Sequence, residues 1–364
     1  YGVNAQTKHI ILADRKTLKC PNGIVLGTPG SGKSFFAKRE MANAFFATPD
    51  HILILDPENE YTALTEQLHG QTIYLAPDSQ SYLNPMDLDL STDVGESPML
   101  MQADFLLSQC ELMMASYGNP LMPIEKSLID RCISLVYRDY LKNPRPENMP
   151  ILGDLYQCLR EQHNSRADDL ATAMEIYVTG SLSYLNHRTN VDLNNRMVCY
   201  NISKLGQGLK KLVMSNVQKH IWQRTAVNRY AGITTRIFLD EFHLLLKEPQ
   251  TAAYTAEIYK RFRKWNGIPT SLTQNVKDLL DSSEIENILE NSDFVLMLNQ
   301  GASDRNILAQ RLGISPQELS HVTNSSEGEG LLFFGDKIIP FEDKFPRDTQ
   351  LYRVMTTKPS DLAA

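Results

Sequence analysis

Short apolar runs alternate with longer amphipathic stretches along most of the chain. Each run has about the length of a strand and is rich in Val, Ile and Leu; the runs are Ile10–Leu12, Ile24–Leu26, Ile52–Leu55, Thr72–Leu75, Met197–Ile202, Ile237–Leu239, Ile268–Leu272, Phe294–Leu298 and Leu331–Phe334. Continuous apolar strands separated by helices are typical of a mostly parallel sheet that is covered on both faces. The pattern therefore predicts an α/β fold.

One region lacks this alternation. Between residues 92 and 188 the sequence has no convincing strand but several stretches with helical spacing, which are Leu100–Ser116, Glu125–Leu141, Ile151–Glu161 and Ala167–Val178. We interpret it as an all-helical subdomain inserted into the α/β core. The predicted domains are residues 1–91 and 189–345 for the two parts of the core, 92–188 for the insertion and 346–364 for a peripheral C-terminal tail.

The segment from Gly27 to Ser34 reads GTPGSGKS and matches the phosphate-binding loop pattern G-x-x-x-x-G-K-S. It follows an apolar strand and precedes a helix that begins near Phe35, which is the context that such a loop requires. Glycines let the backbone aim successive N–H groups at phosphate oxygens, a lysine reaches the β- and γ-phosphates, and a serine hydroxyl ligates Mg²⁺. The predicted nucleotide ligands are Gly27, Thr28, Pro29, Gly30, Ser31, Gly32, Lys33, Ser34 and Phe35, with Ser34 also on the metal.

The apolar run that ends at Leu239 is followed directly by two carboxylates, Asp240 and Glu241. A carboxylate at a strand end can hold the Mg²⁺ shell, as in a Walker B motif, and a second one can polarise the attacking water. An Asp-Glu pair alone is a weak signal, but a phosphate-binding loop upstream makes it a strong one. We therefore predict that Asp240 supports the metal and that Glu241 is the catalytic base.

The next apolar run leads into Thr273-Gln274-Asn275. An amide at this position can donate to the γ-phosphate and accept from water, so Gln274 is predicted to sense the phosphate.

A dense basic cluster runs from Lys260 to Lys264, just before the strand that leads to Gln274. Such a cluster at a helix end is commonly a solvated last turn that the helix dipole favours. Oligomeric ATPases, however, use an arginine that enters the neighbouring site, with an effect of ~10³–10⁵ on rate. Arg263 is the predicted residue in trans, with Lys264 as its support and Arg305 as the second candidate.

Composition excludes several other classes of protein. The chain of 364 residues is 42% hydrophobic and 22% charged, and its net charge of −7 argues against a protein that coats DNA. No apolar run approaches the ~20 residues of a membrane span. The five cysteines are scattered, which argues against a zinc site or a disulfide framework.

The charges are nevertheless unevenly distributed. Eight Lys or Arg residues and no acidic residue lie between Leu193 and Leu239, whereas the stretch from Asp278 to Asp293 holds six acidic residues and no basic one. Three interpretations remain open: the two segments form solvated faces of one subunit, they form complementary surfaces that meet between subunits, or the basic segment lines a pore.

The order of these motifs is similar to that of the FtsK/HerA superfamily, and within it the chain resembles the VirB/TraC-type ATPases of type IV secretion and conjugation systems. Shorter pieces agree with that branch: Pro21-Asn22 before the phosphate-binding loop, the segment from Leu55 to Tyr61, Leu83 to Met86, and Gly328 to Leu332. The resemblance covers nearly the whole chain apart from the insertion.

This resemblance implies a RecA-like motor that uses ATP and Mg²⁺, forms a hexamer and lies in the cytoplasm, peripheral to the inner membrane. Components of the secretion system in that membrane would be its partners. The family normally has a further N-terminal domain for docking to the membrane complex, and we expect this chain to be a fragment without it, since it begins at Tyr1. Glu58 and Glu60 are read either as residues that support the site or an interface, or as ordinary loop carboxylates.

Two alternatives remain open. The first is a DNA translocase, such as a coupling protein or a HerA/FtsK-like pump, in which the basic segment from Arg196 to Arg236 contacts DNA; removal of Lys210 and Lys211 would then reduce salt-sensitive DNA binding. The second is an assembly scaffold that holds nucleotide only as a structural element. Glu241 and Gln274 argue against the scaffold, because it needs no catalytic base.

Overall fold

Ten strands form one sheet, and most of them coincide with the apolar runs of the sequence. The strands are β1 (Val3–Asn4), β2 (Gly23–Leu26), β3 (His51–Asp56), β4 (Gln71–Tyr74), β5 (Met197–Asn201), β6 (Thr235–Leu239), β7 (Gly267–Thr273), β8 (Phe294–Met297), β9 (Glu329–Phe334) and β10 (Lys337–Glu342). Their order across the sheet is β1-β10-β9-β8-β2-β7-β6-β3-β5-β4. The computed structural model describes residues 1–90, 97–115, 121–247, 249–274, 283–358 and 361.

The centre of the sheet is parallel and one side of it is antiparallel. β2 pairs in parallel with β7 and β8, and β6 pairs in parallel with β7 and β3. The pairings of β8 with β9, β9 with β10 and β10 with β1 are antiparallel. The predicted α/β class with a mostly parallel sheet is therefore confirmed.

Three differences from the predicted strands occur on the antiparallel side, and one of them is that the two-residue strand β1 was not predicted. Ile10–Leu12 is not a strand: Ile10 makes only an isolated bridge to Val3, and Leu12 is 90% exposed. β10 was not predicted, because Pro340 interrupts its apolar pattern and proline is uncommon inside a sheet.

Helices connect most of the strands. The α-helices are Lys33–Ala47, Thr62–Gln67, Pro98–Ala115, Pro123–Val136, Arg138–Lys142, Leu152–Arg160, Ser165–Val178, Gln207–Tyr230, Pro249–Phe262, Ser283–Glu290, Ala302–Leu312, Pro316–Leu319 and Gln350–Met355. Short 3-10 helices occur at Arg15–Thr17, Pro146–Asn148, Ser183–Leu185, Phe242–Leu246 and Ser320–Val322. Across the described part of the chain, no helix combines the length and the apolar character needed to cross a membrane.

The chain divides into two compact units. The first unit comprises residues 1–72, 195–199 and 228–364. Its core contains Val25, Met41, Ile54 and Leu272, all fully buried. The core extends to Met355 of the helix Gln350–Met355, so this part of the predicted tail 346–364 packs into the first unit.

A network of buried charges lies under the helix Lys33–Ala47 in the first unit. Arg15 is fully buried and pairs with Glu40 at 2.8 Å, while Arg236 pairs with Asp50 at 2.8 Å and with Glu40 at 3.4 Å. Lys16 completes the network by pairing with Asp50 at 2.6 Å. Because buried charges are costly unless they are paired, these residues depend on one another.

The second unit comprises residues 73–194 and 200–227 and contains most helices of the predicted insertion 92–188. Residues 91–96 and 116–120 lie outside the described residues. The core of the second unit is built from the helices Pro123–Val136, Leu152–Arg160 and Ser165–Val178, which bury Ile129, Leu155 and Met174.

Side chains of the second unit also hold an irregular segment that contains the motif from Leu83 to Met86. Asn216 donates to the carbonyl of Leu83, and Lys219 donates to the carbonyls of Pro85 and Asp87. Because this segment is neither strand nor helix, its carbonyl groups do not receive the backbone hydrogen bonds of regular structure. These side chains donate to the carbonyl groups instead. The motif therefore has a structural explanation.

Candidate functional site

The segment from Gly27 to Ser34 forms a tight loop between β2 and the helix Lys33–Ala47. Gly30 and Gly32 have φ angles of +75° and +99°, which favour glycine. A Cβ atom on Gly27 would lie 2.4 Å from Oγ of Ser31, so this position also requires glycine. The loop is held from inside by Ser31, whose Oγ donates to the carbonyl of Thr28 at 2.7 Å.

Two neighbouring segments hold the loop from outside. The N–H of Thr28 donates to the carbonyl of Asn299, just after β8, at 2.9 Å. The N–H of Gly328, in the motif that ends at Leu332, donates to the carbonyl of Ser31 at 3.5 Å. A Cβ atom on Gly330 would meet the carbonyl oxygen of Met297 at 2.1 Å. The glycines of this motif thus allow a close approach beside the loop.

Lys33 begins the helix and is 8% exposed. Its Nζ donates to the carbonyl of Gly27 at 3.0 Å, within the loop itself. Burial lowers the pKa of Lys33, and the charges of Glu241, Asp240 and Glu60 oppose that shift. The lysine therefore lies in the field of three carboxylates and can balance negative charge at this loop.

Phe35 is half-buried and packs against two aromatic rings from the C-terminal part of the chain. Its ring centroid lies 5.9 Å from that of Phe345 and 5.4 Å from that of Tyr352. The side chain of Phe35 thus anchors the first turn of the helix, while its backbone N–H remains at the helix N-terminus, where anions bind.

Asp240 follows β6 and is almost completely buried. Its Oδ1 accepts from the N–H of Glu241 at 2.9 Å, and its Oδ2 accepts from the hydroxyl of Tyr61 at 3.1 Å. The pKa of Asp240 is raised to about 7: burial is the largest cause, the charges of Glu60 and Glu241 add to it, and these two hydrogen bonds oppose it. A cation beside Asp240 would relieve this excess of negative charge.

The residues present fit a magnesium ion held together with a nucleotide. Mg²⁺ prefers oxygen ligands, and proteins commonly supply one or two of them while phosphates and water supply the rest. Ser34 and Asp240 offer such oxygens. Within the described ranges no group of three or more His, Cys, Asp or Glu side chains could hold a metal ion on its own, so a cation here would depend on the bound phosphates.

Glu241 adopts a left-handed backbone conformation with φ of 44°, which turns the chain sharply after Asp240. Its Oε2 accepts from Nε2 of Gln274 at 3.4 Å and lies 3.1 Å from Nδ1 of His243. Burial raises the pKa of Glu241, but His243, Lys33 and Gln274 together outweigh burial, so its net pKa is lowered. Glu241 is therefore a carboxylate near neutral pH.

The strand order explains why these residues meet. β7 lies between β2 and β6, and all three run in the same direction. Their carboxyl ends therefore share one edge of the sheet, which is where ligands bind in parallel α/β folds. Gly27 follows β2, Gln274 follows β7 and Asp240 follows β6, so three separate motifs of the sequence reach the same edge.

The two arginine candidates lie at opposite edges of the sheet. Arg263 precedes β7, and its Nη1 lies 3.3 Å from Sγ of Cys20, which precedes β2. Because β7 has seven residues and a strand rises ~3.3 Å per residue, Arg263 is ~20 Å from the phosphate-binding edge of its own subunit. Arg305 follows β8 and lies in the first turn of a helix at the phosphate-binding edge.

Arg263 and Lys264 are both exposed. Of the predicted residues, Arg263 and Lys264 are thus the ones that the fold separates from the loop. Their position is compatible with action on a second subunit and not with action on their own.

The basic segment from Arg196 to Arg236 is not a continuous surface. Arg196 donates to backbone carbonyls, including that of Asp50, and Arg236 belongs to the buried ionic network. Lys219 is buried beside Phe105, and burial lowers its pKa to about 7. At least three of the eight charges are therefore directed inward.

Of the acidic stretch, residues 278–282 lie outside the described residues, as does Asn275.

Three residues of the site were not predicted. Lys38, His243 and Tyr61 contact or influence the predicted residues. His243 and Lys38 follow the Asp-Glu pair and the phosphate-binding loop closely in sequence, so their spacing could have suggested them. Tyr61 was noted only as the end of a family motif, because its partner Asp240 is 179 residues away.

Comparison with known proteins agrees with this description. A family model of the TraG P-loop domain matches residues 10–327. No curated protein matches the chain. A solved structure of VirB4 from Thermoanaerobacter pseudethanolicus is similar with a TM-score of 0.84 and 22% sequence identity, over 99% of this chain and 97% of that chain.

Two structures of the plasmid coupling protein TrwB are also similar. One is in complex with ADP and Mg²⁺ and has a TM-score of 0.60 over 91% of this chain and 87% of that chain. The other, with a non-hydrolysable ATP analogue, has a TM-score of 0.59 over the same shares of the two chains. Both are 14% identical in sequence to this chain. The comparisons confirm the predicted P-loop fold.

Proposed function

The chain belongs to the family of TraG P-loop domains, and on that premise we propose that it is an ATP-hydrolysing motor that energises a type IV secretion or conjugation system. One observation carries the proposal: the phosphate-binding loop, the Asp240-Glu241 pair and Gln274 meet at one edge of the sheet. The motor would drive assembly of the secretion apparatus and transfer of DNA or protein across the bacterial inner membrane.

Each residue at this edge has a role in the proposed reaction. The backbone N–H groups from Gly30 to Phe35 hold the phosphates, and Lys33 neutralises the charge on the β- and γ-phosphates. Glu241, which stays ionised near neutral pH, accepts a proton from the attacking water. Gln274 donates to Glu241 at 3.4 Å, so it can transmit a change at the γ-phosphate to the base.

Ser34 and Asp240 are the residues that would hold Mg²⁺. Bound Mg²⁺ supplies electrostatic stabilisation of the phosphate oxygens during transfer. The raised pKa of Asp240 supports this role, because burial and the nearby carboxylates Glu60 and Glu241 both disfavour its negative charge, which a bound cation would stabilise.

We further propose that the active site is completed by a neighbouring subunit. Arg263 is exposed at the edge of the sheet opposite to the loop. In a head-to-tail ring, such as a hexamer, one subunit's Arg263 edge would face the next subunit's phosphate-binding edge. Arg263 would then stabilise negative charge on the transferred phosphoryl group, with Lys264 as its support.

The partners in this proposal are components of the secretion system at the inner membrane, and the location is the cytoplasm, peripheral to that membrane. The similarity to VirB4 and to TrwB supports the proposal. Both solved proteins are similar over most of their length, although their low identity restricts the similarity to the fold.

A DNA-translocating coupling protein or a HerA/FtsK-like pump is the second candidate. It is favoured by the similarity to TrwB, whose structure is described as that of a bacterial conjugative coupling protein. The inward direction of Arg196, Lys219 and Arg236 disfavours DNA binding by the segment from Arg196 to Arg236. DNA binding that weakens with salt and on removal of Lys210 and Lys211 would support this candidate.

Steady-state phosphate release tests the enzymatic part of the proposal. The native chain should hydrolyse ATP only with Mg²⁺ present, and Lys33→Ala should abolish hydrolysis. Lys142→Ala, which removes an exposed lysine of the second unit, is the matched control and should retain activity. Nucleotide binding without hydrolysis under all conditions would instead favour a scaffold that holds nucleotide as a structural element.

A further inference from the structure

The turn from Asp56 to Tyr61, directly after β3, has no role in the function described so far. Asp56 is fully buried and shapes this turn. Its Oδ1 accepts from the N–H groups of Glu58 and Glu60 at 3.3 and 3.0 Å, and its Oδ2 accepts from the N–H of Tyr61 at 3.0 Å. Asp56 therefore acts on the backbone and fixes the place at which Tyr61 enters the core.

Tyr61 is fully buried and contacts Asp240, the proposed metal ligand, directly. Its hydroxyl donates to Oδ2 of Asp240 at 3.1 Å, while the N–H of Glu241 donates to Oδ1 at 2.9 Å. Each carboxylate oxygen of Asp240 thus has one donor, from the turn after β3 for Oδ2 and from the residue after Asp240 for Oδ1. Two donors in fixed positions define the rotation of the carboxylate about its Cβ–Cγ bond.

The surroundings of Tyr61 restrict its own movement. Nζ of Lys38 lies 5.6 Å from the centroid of the Tyr61 ring and donates to the carbonyl of Met355 at 3.0 Å. The backbone N–H of Tyr61 is held by Oδ2 of Asp56. The hydroxyl is therefore delivered to Asp240 by a rigid assembly.

The charge around the hydroxyl is negative. Oε2 of Glu60 is buried and has no hydrogen-bond partner among the described residues. Glu60 lies next to Tyr61 in the same turn, and Glu241 follows Asp240. A carboxylate among other carboxylates tends to turn away from them unless it is held, so a neutral donor such as a tyrosine hydroxyl has a clear physical use here.

We propose that Tyr61 is a positioning residue of the Mg²⁺ site, which holds the carboxylate of Asp240 in the orientation that binds the metal. This inference rests on the proposed function, because it requires that Asp240 supports Mg²⁺ with a bound nucleotide. Partners that orient metal ligands typically change metal affinity by ~10- to 100-fold when they are removed.

The test is a Mg²⁺ titration of the binding of a fluorescent ADP analogue (mant-ADP) to the full chain. Tyr61→Phe removes only the hydroxyl and should raise the half-saturating Mg²⁺ concentration by ~10-fold, with unchanged binding in EDTA. Tyr259→Phe is the matched control: Tyr259 is equally buried, and its hydroxyl donates to the carbonyl of Gly23 at the other edge of the sheet. This control should leave the titration unchanged.

A double-mutant cycle separates positioning from general damage. In an Asp240→Asn background, Tyr61→Phe should have no further effect on the Mg²⁺ titration, because Tyr61 acts through Asp240. Equal effects of Tyr61→Phe in both backgrounds would overturn the inference, as would an unchanged titration in Tyr61→Phe alone. A native chain that binds no mant-ADP at any Mg²⁺ concentration would overturn the proposed function itself.

Discussion

The side-chain amide of Gln274 donates to Oε2 of Glu241 at 3.4 Å, although the two residues follow different strands and are 33 positions apart. β7 and β6 are parallel neighbours, so their carboxyl ends deliver both side chains to the same edge as the phosphate-binding loop. This contact links the proposed phosphate sensor to the proposed base. It provides a direct physical route by which the state of the γ-phosphate can affect Glu241.

The first prediction concerns Glu241 as the base. Glu241→Gln keeps the size of the side chain but removes the proton acceptor, so turnover should fall by ~10²–10⁴-fold while ATP binding is retained. Phosphate release and mant-ATP binding are to be measured on the same preparation. Glu147→Gln is the matched control, since Glu147 is an exposed carboxylate of the second unit. If Glu241→Gln leaves both binding and turnover at the native level, the base has been assigned incorrectly.

The second prediction concerns action in trans. Lys33→Ala lacks a working loop but keeps Arg263, whereas Arg263→Ala has the loop and lacks the arginine. Each variant alone should be inactive. An equal mixture should regain about a quarter of the native activity, because about a quarter of randomly formed head-to-tail interfaces would combine a working loop with an arginine.

Arg305→Ala separates the two arginine candidates, because Arg305 lies at the phosphate-binding edge of its own subunit. If Arg305→Ala is inactive and Arg263→Ala retains native activity, Arg305 and not Arg263 carries the charge-stabilising role. No recovery of activity in the mixture, with both variants shown to assemble, would argue against a site shared between subunits.

The third prediction concerns the dependence of stability on pH. The pKa of Asp240 rises from its ordinary value of 3.8 to about 7 in the folded chain, so the unfolded chain loses the proton first as pH increases. The folded state is therefore progressively destabilised between about pH 4 and pH 7. Asp240→Asn should add little stability at pH 4 and at most roughly 4 kcal/mol at pH 7.5, in the absence of metal and nucleotide.

Urea denaturation at several pH values measures this gain. Asp336→Asn, which alters an exposed carboxylate in the turn between β9 and β10, is the control. A gain from Asp240→Asn that is largest at pH 4 would contradict the predicted sign.

The fourth prediction concerns the buried ionic network. Glu40→Gln leaves Arg15 and Arg236 buried with one charge partner fewer, so it should destabilise the chain by about 3–5 kcal/mol. Glu342→Gln is the matched control because its partner Lys8 is exposed, and it should cost less than about 1 kcal/mol. Equal destabilisation by the two variants in urea would show that the network contributes no more than a surface pair.

The sequence predicted those parts of the site that are local. A tight loop requires glycines at fixed spacing, so the loop from Gly27 to Gly32 could be predicted from the sequence. Asp240 and Glu241 could be predicted because they are adjacent and directly follow an apolar strand. Tyr61 could not be assigned in this way, since its contact with Asp240 depends on the order of β3 and β6 in the sheet. Ile10 and Leu12 were misread because apolar residues in an exposed edge segment have the same pattern as a buried strand.

The basic segment shows a second limit of sequence patterns. The sequence spacing of Arg196 and Arg236 does not distinguish them from exposed basic residues. In the structure, Arg196 is half-buried and donates to backbone carbonyls, and Arg236 is buried and pairs with Asp50. Charge counts predict a surface only when the fold leaves the charges outside. Similarly, Arg263 and Arg305 could be assigned to opposite edges of the sheet only once the directions of β7 and β8 were known.

The most direct test of the central claim is steady-state ATP hydrolysis as a function of protein concentration, for the native chain and for Arg263→Ala. A site that is completed by a neighbouring subunit predicts specific activity that rises with concentration and is lost in the variant. Specific activity that is independent of concentration and unchanged in Arg263→Ala would contradict the account, because each subunit would then contain a complete site.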